Sequence, residues 1–138
     1  PRMFVTGVGL GSSKGKAGVN DFVADAAKGA KDRLNLGVDW VKVFASTGTY
    51  DNVTGDQTVS YEELKAIIDV VHAAGHKVAV HSYGPAAARY AIRAGADTLE
   101  HATDLDDETI SEMVRCRIQW LRIKHARAFL VRENGNDK

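Results

Sequence analysis

The stretch HKVAVHSYGPAAARYAIRAGADTLEHAT, residues 76–103, decides the fold because it holds two strand-like runs separated by a helical one. Pro85 and Gly95 stand where the first turn and the end of the helix are expected. A strand, a helix and a second strand of these lengths form a βαβ unit, whose two strands are parallel and whose crossover is right-handed. This stretch therefore predicts an α/β fold.

The same alternation extends on both sides of that unit. Ser60, with Glu63 three positions later, forms a capping box at the start of a helix. Hydrophobic spacing and turn residues give the other elements. Further strands are predicted over residues 38–46 and 118–123, and further helices over residues 20–37, 60–75 and 104–117. The chain is thus expected to contain four to five parallel βα units.

Two architectures fit such a series of units. One is a small doubly wound sheet that is complete in itself, and the other is part of a (β/α)8 barrel. A closed barrel typically needs about 250 residues, and this chain has 138. If it is barrel-like, we expect a partial TIM barrel over residues 1–120, not closed on its own, followed by an atypical basic segment over residues 121–138.

Composition excludes several classes of function. The chain has 18 basic and 18 acidic residues, so no net charge draws it to nucleic acid or to an anionic membrane. No apolar run approaches the length of a membrane span, and the residues that follow Pro1 lack the basic, apolar and small-residue pattern of a secretory leader. Cys116 is the only cysteine, which fits a reducing compartment and favours a cytoplasmic location. A small organic substrate or a protein partner is the more natural expectation.

Three predicted strands carry a polar side chain near their carboxyl ends. These are Lys42 in WVKVFAS, His81 in VAVHSYG and His101 in TLEHATD. In parallel α/β folds the active groups lie at the carboxyl ends of the strands, where the βα loops meet. A lone histidine after a strand is usually structural. Two histidines on successive strands, with a lysine in the strand before them, instead predict a shared site.

Lys42 is the anomaly, because ionised lysines are rarely buried in apolar strands. A desolvated lysine loses its proton readily, and a neutral amine can add carbon dioxide to form a carbamate that could bridge divalent cations. The imidazoles of His81 and His101 are good ligands for zinc and similar metals. The alternative is that Lys42 extends along the sheet edge to reach water.

The order DWVKVFAS, HKVAVHSYG and DTLEHATDLDDETI resembles the amidohydrolase superfamily, in its imidazolonepropionase-like and Xaa-Pro dipeptidase-like branch. The resemblance implies that Lys42 is a carboxylated lysine bridging two divalent metals, most simply zinc, and that His81 and His101 are metal ligands. It also implies that Tyr83 faces the substrate, a small amide or peptide such as an Xaa-Pro dipeptide. The expected reaction is hydrolysis of a C–N bond by metal-activated water.

The chain departs from the family pattern in two places. It contains no His-x-His pair for the first metal, and it ends before the strand that carries the family's catalytic Asp. No catalytic residue can therefore be assigned, and we expect a fragment of the enzyme that is inactive or nearly so. The alternative is a non-catalytic α/β module that binds metal or assembles with a second copy through its exposed sheet edges.

Overall fold

A computed structural model describes residues 3–14, 16, 18–48 and 55–121 of the chain. Helices and strands alternate through these residues, as the sequence predicts. The helices are α1 Phe22–Asn35, α2 Tyr61–Ala73, α3 Pro85–Ala94 and α4 Asp107–Cys116, and the strands are β1 Trp40–Phe44, β2 Lys77–Tyr83, β3 Thr98–Thr103 and β4 Gln119–Leu121. The predicted basic segment lies outside the described residues from 122 onward.

Local chemistry explains where the helices begin and end. Ser60 and Glu63 form the predicted capping box at the start of α2, which satisfies two backbone N–H groups that the helix leaves open. Asp106 caps α4 by accepting from the backbone N–H of Thr109 at 2.9 Å. Helix α3 begins with Pro85 and ends at Gly95, whose left-handed φ of 96° stops the helix.

The four strands form one parallel sheet in the order β1-β2-β3-β4. Consecutive strands are neighbours and consecutive helices pack on one another, which is the arrangement of a barrel wall. A doubly wound sheet instead reverses its strand order at a switch point. The fold is therefore α/β with the architecture of a partial (β/α)8 barrel, and the doubly wound alternative is wrong.

The core lies between the helices and the outer face of the sheet. Val41 and Val43 of β1 stand in register with Val78 and Val80 of β2, and Val80 with Leu99 of β3. All five are fully buried, and each contributes about 1.5–3 kcal/mol by leaving water. Helix α2 contributes four fully buried residues to the same core: Leu64, Ile67, Ile68 and Val71.

A buried carboxylate fixes the loop that precedes α1. Leu10 extends the sheet beyond β1, donating its backbone N–H to the Lys42 carbonyl at 2.7 Å. The loop that follows Leu10 is held by Glu63, which accepts from Ser12 Oγ at 3.0 Å and from the Ser13 backbone N–H at 3.1 Å. The glutamate of the α2 capping box therefore also anchors a loop at the carboxyl end of the sheet.

Alternation along the strands leaves the other face of the sheet for polar groups. Lys42 and Phe44 of β1 point away from the helices, and so do His81 of β2 and Glu100 of β3, which are register partners. We call this surface the inner face, because it would line the interior of a barrel. Within the described ranges, no helix is long and apolar enough to cross a membrane.

Candidate metal centre

The structure brings His81 and His101 together at the carboxyl end of the inner face. Their ring centroids lie 4.8 Å apart, with planes inclined by 77°. The ring of Phe44, the β1 residue in register with His81, contacts the His81 ring edge to face at 5.6 Å. The Lys42 Nζ lies 5.6 Å from the centroid of the Phe44 ring. The three residues predicted as ligands therefore share one surface.

His101 reaches this surface because the end of β3 departs from regular strand geometry. Its neighbour Glu100 already faces inward, so strict alternation would turn His101 toward the helices. Instead His101 and Ala102 have left-handed φ angles of 66° and 45°, and the pairing of β2 with β3 shifts register between Ser82 and Tyr83. Because of this irregularity, the consecutive residues Glu100 and His101 both face the inner side of the sheet.

Glu100 is the residue of this surface that the sequence analysis missed. Its carboxylate forms an ion pair with the Lys42 ammonium, and the two side chains are 20% and 12% exposed. The signal was present in TLEHAT, where a glutamate stands inside an apolar strand directly before the histidine. Lys42 therefore does not extend to water, as the alternative reading proposed, but turns inward to an acidic partner.

The electrostatic environment favours a neutral imidazole at His81. The pKa of His81 is lowered to about 4, chiefly by burial and to a smaller extent by the nearby charges of His101 and Lys42. Burial also lowers the pKa of Lys42 to about 8, while the adjacent Glu100 carboxylate acts in the opposite direction by stabilising the ammonium. A neutral imidazole has a nitrogen lone pair available, which is the state that binds a metal.

Tyr83 packs behind His101. The two rings are stacked, with centroids 4.9 Å apart and planes inclined by only 7°. Tyr83 is 2% exposed, and a Cβ added to Gly48 would lie 2.5 Å from its ring, so Gly48 leaves the space that the ring occupies. The backbone N–H of Tyr83 donates to Ser46 Oγ at 2.8 Å. The structure thus places Tyr83 against a predicted metal ligand, and its contact with substrate stays a prediction.

The remaining histidines of the described chain lie outside this cluster. His72 Nε2 contacts the Asp97 carboxylate at 2.9 Å, and His76 Nδ1 contacts the Asp39 carbonyl at 3.1 Å. Across the residues that the structure describes, no three His, Cys, Asp or Glu side chains lie close enough together to hold a metal ion. A metal site on the inner face would therefore rely on Lys42 beside the histidines.

Comparison with known proteins gives the family of the chain. The model of the amidohydrolase family matches residues 1–132. A protein of Mycobacterium tuberculosis, described only as uncharacterized, is 34% identical over 94 residues, which are 67% of this chain and 23% of that protein. Ochratoxinase of Aspergillus niger is 27% identical over 119 residues, covering 85% of this chain and 25% of the enzyme.

Solved structures give the same result. The crystal structure of a Xaa-Pro dipeptidase with methionine bound in its active site matches with a TM-score of 0.76 and 25% identity, over 88% of this chain and 35% of that one. The crystal structure of Aspergillus niger ochratoxinase matches with a TM-score of 0.71 and 28% identity, over 86% and 28% of the respective chains. The chain spans about a quarter of the length of the curated relatives it matches. With its partial barrel and its family model in agreement, the chain belongs to the amidohydrolase family.

Proposed function

We propose that this chain supplies metal ligands for an amidohydrolase that hydrolyses C–N bonds in small amides or peptides. The observation that carries the proposal is that Lys42, His81 and His101 lie on the inner face of three adjacent strands, with the two histidine rings in contact. Hydrolase activity in general is supported by the family and by relatives such as ochratoxinase and the Xaa-Pro dipeptidase. We further propose that a metal bound at these residues activates the water that hydrolyses the C–N bond.

The donor set fits a divalent cation such as zinc, and amidohydrolases generally use divalent metals. His81 and His101 offer imidazole nitrogen, and burial holds His81 in the neutral state. Lys42 would contribute an oxygen ligand if its amine added carbon dioxide, forming an N–C bond and releasing the amine proton to solvent. A bound divalent cation would polarise a carbonyl group and lower the pKa of water. The chain's own residues would hold and orient it.

The substrate class rests on the relatives. The matched dipeptidase is named for Xaa-Pro substrates, so an Xaa-Pro dipeptide or a similar small amide is the proposed substrate. Tyr83 is proposed to border the substrate through its hydroxyl group, while its ring supports His101. A reducing, cytoplasmic compartment, favoured by the single cysteine, remains a prediction.

The experiment is a paired measurement on the purified chain. Zinc binding by isothermal titration calorimetry and hydrolysis of Xaa-Pro dipeptides, with and without a chelator, would be recorded on the same preparation. We expect zinc binding that depends on Lys42, His81 and His101, with little hydrolysis, because the 138 residues contain no His-x-His pair. Absence of zinc binding would contradict the proposed function. Strong chelator-sensitive hydrolysis would contradict the expectation that the isolated chain is inactive.

A second candidate function is self-association through the sheet. Strand β4 is the last strand of the described sheet, and its residues Trp120 and Leu121 are 52% and 47% exposed. Exposed apolar edge strands favour pairing with another chain. A second copy of this chain is the proposed occupant, because the edge strands of two copies could pair with each other and continue the sheet.

A further inference from the structure

Glu100 occupies a special position between the predicted ligands. It precedes His101 in β3, it is the register partner of His81 in β2, and its carboxylate pairs with Lys42 of β1. It therefore contacts or adjoins each of the three residues of the proposed centre. Nothing in the sequence resemblance assigns it a role.

The ion pair spans the width of the central strand. Strands β1 and β3 both pair with β2, so Lys42 and Glu100 are separated by two interstrand spacings of about 4.8 Å each. The β2 residue in register with Lys42 is Ala79, whose small side chain leaves space above the strand. The Lys42 side chain can therefore lie across β2 instead of extending to solvent.

We propose that Glu100 is a positioning residue that holds the Lys42 side chain across β2, beside the two histidines. This inference rests on the proposed function, in which Lys42 is a metal ligand. A long lysine side chain has many rotamers, and fixing one of them is costly. The ion pair with Glu100 confines Lys42 to the region that a cation would occupy before the cation arrives.

Charge balance gives Glu100 a second effect on the same site. With Lys42 as an ammonium group, its charge cancels that of Glu100 on a surface that is only partly exposed to water. Once the Lys42 amine has lost its proton and added carbon dioxide, a divalent cation bound through Lys42 and the two histidines would lie near a carboxylate already held there. Removing that carboxylate would take away one of the negative charges that offset the cation on this surface, and burial of a poorly compensated charge is unfavourable.

Zinc titrations of matched variants test this inference. Glu100→Gln removes the charge with almost no change in shape, Glu100→Asp keeps the charge but shortens its reach, and Glu62→Gln is the control on the exposed face of α2. We expect Glu100→Gln to lower the affinity for zinc at least tenfold, Glu100→Asp to restore part of the loss, and Glu62→Gln to bind like the unmodified chain. Thermal unfolding would confirm that each variant is folded.

The outcomes separate this inference from the proposed function. If Lys42→Ala weakens zinc binding while Glu100→Gln binds normally, the positioning role is overturned and the proposed function stands. If neither variant changes zinc binding, both are overturned. Should Glu100→Gln fail to fold, Glu100→Asp still decides, because wild-type affinity in that variant would show that the reach of the carboxylate is irrelevant.

Discussion

The imidazole ring of His101 lies flat against the phenol ring of Tyr83, with centroids 4.9 Å apart and planes inclined by 7°. Because such a pair contributes about 0.5–1.5 kcal/mol beyond burial, the stack should fix the orientation of His101. Tyr83→Phe keeps the ring and should bind zinc within about twofold of the unmodified chain, whereas Tyr83→Leu should weaken binding by about threefold to tenfold. Equal losses in both variants would instead assign the effect to the hydroxyl group.

The Lys42–Glu100 ion pair makes a prediction about stability. Lys42→Met fills the same space with an apolar side chain but leaves the partly buried Glu100 carboxylate without its counter-charge. We expect the free energy of unfolding, measured with urea, to fall by about 1–3 kcal/mol.

Two further variants control that experiment. Lys42→Met combined with Glu100→Gln should recover at least half of the loss, because the uncompensated charge is then gone. Lys65→Met breaks the exposed Lys65–Asp69 pair of α2 and should cost less than about 1 kcal/mol. A double variant no more stable than Lys42→Met alone would show that the ion pair is not the cause.

The cap of α4 predicts a dependence of stability on pH. Hydrogen bonds from Thr109, together with the nearby Arg89, lower the pKa of Asp106 below its ordinary value of 3.8. A carboxyl group whose pKa is depressed in the folded state stabilises the fold above its unfolded pKa, and this contribution is lost as the pH falls through the folded pKa.

Asp106→Asn isolates that contribution, since asparagine can still cap a helix. Its urea midpoint should lie below that of the unmodified chain at pH 7, and the difference should shrink as the pH falls below 3.8. Asp107→Asn is the control, being in the first turn of α4 without being its cap. A difference that stays constant down to strongly acidic pH would contradict the account.

Self-association through β4 predicts a dimer that one charge should disrupt. Light scattering coupled to size-exclusion chromatography should give a dimeric mass for the unmodified chain and a monomeric mass for Leu121→Lys, because lysine on an edge strand opposes pairing. Val114→Lys adds the same charge at an exposed position of α4 and should remain dimeric. A monomeric mass for the unmodified chain at all concentrations would rule out the assembly.

The fold was largely predictable because its signals are local. The capping box of Ser60 and Glu63, the Pro85 start and Gly95 stop of α3, and the apolar strand runs each act within a few residues of sequence. Strand order was not predictable in this way, because both barrel-like and doubly wound sheets use the same βαβ units. Only the sequential pairing of β1 to β4 separates them.

The sequence predicts three residues of the candidate site, but neither Glu100 nor the arrangement of the site. The rule that active groups lie at strand ends identified Lys42, His81 and His101. Strand alternation would have sent Glu100 and His101 to opposite faces, and only the left-handed backbone at His101 brings both inward. The pairing of Lys42 with Glu100 was likewise hidden, because it joins residues 58 positions apart that share no local pattern.

The central claim, that the inner face holds a metal ion through Lys42, His81 and His101, is tested most directly by metal content. Elemental mass spectrometry would compare the purified chain, loaded with zinc and then desalted, with the triple variant Lys42→Ala, His81→Ala, His101→Ala and with His72→Ala as a control histidine outside the cluster. The account predicts bound zinc in the unmodified chain and in His72→Ala, and none in the folded triple variant. Equal zinc in all three, or zinc in none, would contradict it.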